Sequence, residues 1–276
     1  VSDGKVVGMT DPWMKHCPLY NMLYDMVENS DIAEIKKAIK KAVEEKIAKF
    51  GSFTARRELY RDNIAIPYGA SEMMMYAMNK GAIDAAVTVC DGAGTVIAET
   101  PSLVQGIGAR MNGLFYTSPI KEVIETIESQ NGIVIFPETA GIDQIQGLEK
   151  AAQTGYRKIA VTINGFTEED VSRVQEIEQR YAITTVSIIV CTTGVTQERA
   201  EHISQHADLV WSCASDKVRE IVGRKSILQI TSAIPVFVLT PKGLHFASQY
   251  CAEPAILQHA DHAKQYLIAG NIKGTR

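Results

Sequence analysis

Three stretches end an apolar run with a cysteine and a turn: AVTVCDGAG (86–94), SIIVCTTG (187–194) and LVWSCAS (209–215). They set Cys90, Cys191 and Cys213 in the same local context. A thiol at the end of a strand can fill core space, act as a thiolate nucleophile or ligate a metal. Free cysteine is among the most buried residue types, so packing accounts for any one of the three taken singly. The set carries more. An open parallel α/β sheet binds ligands outside the carboxyl ends of its strands, and strands about 5 Å apart bring neighbouring ends to one place. The expected chemistry is therefore thiolate exchange or metal ligation by Cys90, Cys191 and Cys213. Cys17, in the loop HCPL (16–19), is a fourth candidate ligand able to fold over the same edge.

Cys213 is the first candidate for a catalytic thiolate, because it stands just before a helix start near Ser215. Backbone N–H groups exposed at such a terminus bind anions and lower thiol pKa values. Asp91, beside Cys90 at a glycine turn, is the second: its carboxylate could orient a polar ligand or move a proton. An Asx-turn that caps its own loop explains Asp91 equally well. Around these lie small and hydroxylated residues that leave N–H groups open to a bound group. They are Gly92, Gly94 and Thr95 after Cys90, Thr192, Thr193 and Gly194 after Cys191, and Ser212 and Ser215 around Cys213.

Competing motifs are weaker. No C-x-x-C pair exists, which removes a zinc ribbon and a ferredoxin-type run. Gly92-Ala93-Gly94 does not complete G-x-G-x-x-G, since Thr95, Val96 and Ile97 follow. No phosphate-binding G-x-x-x-x-G-K-[ST] and no G-x-S-x-G is present. His202 and His206 share a helix face four residues apart, and His259 and His262 form a second pair. With no third ligand nearby, both read as solvated faces. MMMYAM (73–78) reads as core packing, and Trp211 as a core residue with its N–H satisfied.

The elements that must position these residues follow from periodicity. Asp31 and Glu34 form a D-x-x-E capping pattern for a helix whose Ile32, Ile35, Ile39, Val43, Ile47 and Phe50 make one apolar face, ending at Gly51. Helices are expected over 71–81, 101–113, 118–132 (with Ser118 as N-cap and Pro119 at the first helical position), 167–181 (capped by Thr167 and Asp170), 196–206 and from Ser215. Apolar strands are expected over 83–90, 133–136, 158–163, 184–191 and 209–213, then at SILQI and IPVFVLT. Strands alternating with helices predict an α/β fold: a largely parallel sheet with helices on both faces and right-handed crossovers. We expect an N-terminal segment and helix over 1–63 and an α/β domain over 64–276. A division into two lobes would fall near Gly155.

The chain has 276 residues, 46% hydrophobic and 22% charged, enough for a sizeable core. Its net charge of −4, without a long Lys/Arg block, offers no electrostatic footprint for nucleic acid. No apolar run approaches the roughly 18–20 residues of a membrane span, so neither membrane nor nucleic acid is an expected partner. Five scattered cysteines do not make a disulfide framework, no secretory leader is visible, and a reduced cytoplasm is the expected compartment.

With these motifs in hand, the chain resembles the methanogenesis marker protein 8 family. The residues carrying the resemblance are His16-Cys17-Pro18-Leu19, VCDGAGT (89–95), LVQGIG (103–108), TSPI (117–120), IDQIQG (142–147) and GYRKIAVT (155–162). CTTG (191–194), ADLVWSCAS (207–215) and PVFVLT (235–240) complete it. The resemblance implies a place in anaerobic one-carbon metabolism, in maturation or reductive activation of a partner metalloenzyme. An oxygen-free cytoplasm would suit exposed thiols, and an iron–sulfur cluster is the cofactor that Cys90, Cys191 and Cys213, joined by Cys17, could hold. GASEMMMYAMNKGAIDAAVTV (69–89) followed by TSPIKEVIETI (117–127) also resembles the beta subunit of deazaflavin-reducing hydrogenases, which use flavin and an iron–sulfur cluster. That family's Cys after a Thr-Pro turn has no counterpart in FPETAGIDQIQ (136–146), which argues against flavin. The rival expectation is an assembly module without chemistry. In it, the glycine turns and helix N-termini hold an anionic small molecule or cofactor precursor while another surface docks a partner.

Overall fold

The computed structural model describes residues 1, 4–12, 31–109, 111, 113–166, 171–231, 234–251 and 267–269. Its first helix, α1 (Ile32–Phe50), starts and stops as its sequence dictates. Asp31 accepts from the Glu34 N–H, Glu34 accepts from the Asp31 N–H, and Gly51 closes the helix in the left-handed region. The chain continues through α2 (Ala70–Asn79), β1 (Ala85–Cys90), β2 (Gly94–Ala98), α3 (Pro101–Gly108), α4 (Lys121–Ser129) and β3 (Ile133–Val134). Then come α5 (Gln144–Thr154), β4 (Lys158–Asn164), α6 (Ser172–Tyr181), β5 (Thr184–Val190), α7 (Gln197–His206) and β6 (Leu209–Trp211). A π-helical turn (Val218–Val222) runs into α8 (Gly223–Lys225), followed by β7 (Leu228–Ile230), β8 (Val236–Val238), α9 (Pro241–Cys251) and β9 (Leu267–Ala269).

All nine strands join one sheet in the order β3-β2-β1-β4-β5-β6-β8-β7-β9. Only its centre is parallel: β1 with β4, β4 with β5 and β5 with β6. The five remaining pairings are antiparallel, so the expected largely parallel sheet is corrected to a parallel core with antiparallel flanks. The reason lies in the connections. β1 turns straight back into β2 through Gly92 and Gly94, both at positive φ, which makes a hairpin where a crossover was expected. The strand order reverses between the parallel neighbours β1 and β4: the chain goes from β1 to β2 on one side and from β4 to β5 on the other.

Alternate strand residues enter two apolar clusters. Ala86, Cys90, Ala160, Ile188 and Trp211 pack with Met73 and Met74 of α2, Leu103 and Ile107 of α3, and Phe246 and Tyr250 of α9. Val87, Val161, Ile163, Ile189 and Val210 pack with Leu148 of α5, Val174 and Ile177 of α6, and Ile203 of α7. The methionine run is thus core, and Trp211 Nε1 donates to the Tyr68 carbonyl at 3.0 Å. One helix start differs from expectation. α4 begins at Lys121 with Ile120 as its cap, not at Ser118, because Ile120 N–H is already bonded to the Gly92 carbonyl. The Thr167 and Asp170 capping pair lies outside the described residues. Gly155 caps α5 at φ 116, and β4 after it joins the same sheet as β1. Among the described residues, no helix is long and apolar enough to cross a membrane.

Candidate functional site

The end of β1 is sealed. Cys90 pairs with Gly94 across the hairpin, is fully buried and directs its thiol to the Asp91 carbonyl at 3.3 Å. Burial drives its pKa far above the ordinary thiol value; the Asp91 charge adds to the rise and Arg57 opposes it. Asp91, expected at a reactive edge, is instead half of a buried ion pair. Its Oδ1 accepts from Arg57 Nε at 2.8 Å and its Oδ2 from the Phe53 N–H at 2.6 Å. Arg57 also donates to the carbonyls of Glu58 and Ile107, so one guanidinium ties the 51–58 loop, the β1 turn and α3 together.

The neighbours of Cys90 are equally engaged. Gly92 N–H donates to Thr117 Oγ1 at 2.8 Å. A Cβ on Gly94 would come within 2.3 Å of the Ala140 and Gly141 carbonyl oxygens, so this position must be glycine. Thr95 is fully buried; its hydroxyl donates to Gln144 Oε1 and accepts from the Asp143 N–H, joining β2 to the start of α5. These three residues, expected around a bound group, form a hairpin turn and a core hydrogen-bond network.

The ends of β5 and β6 are built differently. Cys191 directly follows β5, and Cys213 stands two residues beyond β6; both are partly exposed. Both also sit at positive φ, 56° and 46°, a region that residues with a Cβ seldom adopt. β5 and β6 are parallel neighbours, with Ile188 beside Leu209 and Ile189 beside Val210. Beyond the ladder the two loops stay joined. Thr192 is buried and its hydroxyl donates to the Trp211 carbonyl at 2.6 Å, and the Ala214 N–H donates to Thr193 Oγ1 at 3.1 Å.

Each loop leads into a helix. Gly194, at φ 83, precedes the Thr196 cap of α7. Ser212 is pinned by its N–H to the Pro235 carbonyl, and Ser215 Oγ accepts from the Val218 N–H at 3.2 Å. Arg219, on the π-helical turn, reaches back so that Nη2 donates to the Cys213 carbonyl at 3.1 Å. Above Cys191 lies the exposed Gly113: a Cβ there would stand 3.2 Å from Cys191 Sγ.

The structure therefore brings Cys191 and Cys213 to adjacent strand ends but leaves Cys90 out. β4 lies between β1 and β5, and the hairpin closes over the Cys90 sulfur. Among the described residues, no group of three or more His, Cys, Asp or Glu is placed to hold a metal ion, which corrects the expected three-thiol convergence. Cys17 lies outside the described residues, as do His259 and His262. The His202 and His206 rings lie 4.7 Å apart on α7, with His206 Nδ1 3.4 Å from Gln175 Oε1. A groove of about 560 Å³ between α7 and the π-helical turn contains neither cysteine.

Four residues escaped the sequence reading. Arg57 and Asp91 are 34 positions apart, and no spacing rule links them. Gly113 and Arg219 carry no motif; each matters only through the loop it touches. Glu72, buried among the methionines, accepts from the Ala65 and Ile66 N–H groups and from Gln105 Nε2. A charge on the apolar face of α2 was the one available signal for it.

Residues 1–250 match the model of a family described as "Uncharacterized protein conserved in archaea (DUF2099)". The chain is also 41% identical over 244 residues to a protein of Methanocaldococcus jannaschii named "Uncharacterized protein MJ0054". That alignment covers 88% of this chain and 83% of the relative.

Proposed function

The chain belongs to the archaeal family DUF2099, and on that premise we propose that Cys191 and Cys213 form a dithiol that exchanges with a disulfide. One observation carries the reading: two partly exposed cysteines, both in left-handed backbone, stand at the ends of neighbouring parallel strands whose loops are hydrogen-bonded together. Strained backbone persists where surrounding structure over-determines it, and it concentrates at functional positions. The β5–β6 register, continued past the ladder, sets Cys191 beside Ser212, the residue before Cys213.

The reaction needs no group beyond the disulfide partner. One thiolate attacks a sulfur of the partner, breaking its S–S bond and forming a mixed disulfide; the leaving thiolate takes up a proton. The second thiolate then displaces the remaining partner sulfur, leaving Cys191–Cys213 oxidised and the partner reduced by two electrons. In a reduced cytoplasm, this chemistry suits reductive activation of a partner metalloenzyme in anaerobic one-carbon metabolism, the setting the marker-family resemblance implies. An iron–sulfur cluster fits less well. Cubane and rhombic clusters take four thiolates, and the described residues bring two to this edge.

The test is anaerobic purification followed by equimolar oxidised glutathione and peptide mapping without reduction. The expected product links the peptides of Cys191 and Cys213, with Cys90 still a free thiol. A fully reduced pair after that treatment sinks the reading, and stoichiometric iron and sulfide in the purified protein replaces it with ligation.

A further inference from the structure

The two thiols are not equivalent, and the difference assigns them separate tasks. Resting on the dithiol reading, we infer that Cys213 is the attacking thiol, Cys191 the resolving thiol, and Gly113 the positioning residue that keeps the two steps in that order. Thiol–disulfide exchange needs the attacking sulfur in line with the bond it breaks, so an incoming disulfide needs open space along that axis. Over Cys191 that space is bordered by the chain at Gly113. Gly113 lies so close that even a methyl group there would stand 3.2 Å from Sγ and 3.6 Å from Cβ of Cys191. Phe115, two residues on and exposed, would be 3.5 Å from the same methyl, which narrows the approach further.

Cys213 has the opposite surroundings. Its sulfur makes no hydrogen bond among the described residues. Its residue precedes the Ser215-capped start of the helix that carries the π-helical turn, and the Arg219 guanidinium rests on its carbonyl. Positive charge from that cation and from the helix terminus stands on the Cys213 side of the pair. The first step is therefore attack by Cys213 Sγ on the external disulfide, which releases one thiol of the partner. In the second, Cys191 Sγ attacks Cys213 Sγ and releases the other. Cys191 needs no access from solvent for this step, because its target has been delivered next to it and the step is intramolecular.

The probe is 5,5′-dithiobis(2-nitrobenzoic acid), added anaerobically to the full chain, with adducts followed by peptide mass spectrometry at Cys191 and Cys213. Cys191→Ser should halt at a stable mixed disulfide on Cys213. Cys213→Ser should form an adduct on Cys191 roughly tenfold more slowly or worse, a barrier difference of about 1.4 kcal/mol. Gly113→Val should lower the ratio of second-step to first-step rate by about the same factor, since the added methyls crowd the resolving sulfur. An adduct on Cys191 in Cys213→Ser at the wild-type first-step rate overturns the assignment while leaving the dithiol reading intact. An unchanged rate ratio in Gly113→Val removes Gly113 from it. Neither thiol reacting, in any variant, overturns the dithiol reading itself.

Discussion

At the end of β1, Cys90 is followed by an aspartate and a glycine turn; at the end of β5, Cys191 is followed by two threonines and a glycine. The first turn folds back at once, so β2 lies along β1, and the 51–58 loop drives Arg57 onto Asp91. Both Asp91 carboxylate oxygens are thereby engaged within the fold. The second turn leads away into α7, and the neighbouring strand β6 leaves its own loop, with Cys213, beside it. A cysteine in one local setting thus becomes an inert core residue or part of an exposed pair according to the connection that follows its strand. A hairpin buries the strand end under its own chain, whereas a crossover leaves it open at the sheet edge.

The largest effect expected from this contrast is at the sealed end. Asp91→Ala leaves the Arg57 guanidinium buried and unpaired, and should cost about 3–5 kcal/mol in denaturant unfolding. Arg57→Met in the same chain should recover part of that loss, since the pair is then replaced by apolar volume. Next, Gly94→Ala should cost about 2–4 kcal/mol, from a side chain forced into left-handed backbone and against two carbonyl oxygens. A loss below 1 kcal/mol at either position would mean that the hairpin is not closed as described.

A pH titration sharpens the comparison. The folded-state pKa of Cys90 is raised, so the native chain holds that proton after the unfolded chain has lost it. Stability contributed by the neutral thiol is complete below the ordinary value of 9.0 and is lost as pH rises above it. The slope is about 1.4 kcal/mol per pH unit, and Cys90→Ala should flatten it between pH 9 and 10. Above pH 10, Tyr156, pushed up to about 12 by burial and by its hydrogen bond to Glu99, adds a loss of the same sign. The smallest effect belongs to the open end. Cys191→Ser and Cys213→Ser should each change stability by less than about 1 kcal/mol, as partly exposed positions do, while abolishing the linked peptide. A large loss of stability in either would turn the pair from a reactive site into a structural one.

Much of the architecture could be read without coordinates. The capping box at Asp31 and Glu34, the Gly51 stop and the apolar runs of β1, β4 and β5 are local signals, and each recurs in the fold. β2 was missed because GTVIA is short and follows a glycine turn that reads equally well as a helix approach. α5 was missed for a related reason: Asp143 caps it by accepting from the Gln146 N–H, but GLEKAAQ offers only a narrow apolar stripe. In the candidate site, Cys191, Cys213, Thr192 and Thr193 were visible as residues, and their convergence depended on which strands lie side by side. Cys90 has the same apolar run and glycine turn, and its fate is set by the hairpin that follows it.

What the sequence alone determined about this protein is therefore its alphabet of elements and the position of its thiols along them, because periodicity, caps and glycines act over a few residues. Tertiary structure alone decided which thiols share an edge, which is shut away and which carboxylate meets a cation. Those outcomes depend on strand order and on contacts 19 to 50 positions apart, such as Thr192 with Trp211, Arg57 with Asp91 and Arg57 with Ile107. Burial and pairing are properties of the whole packed chain, and no short stretch of it contains them.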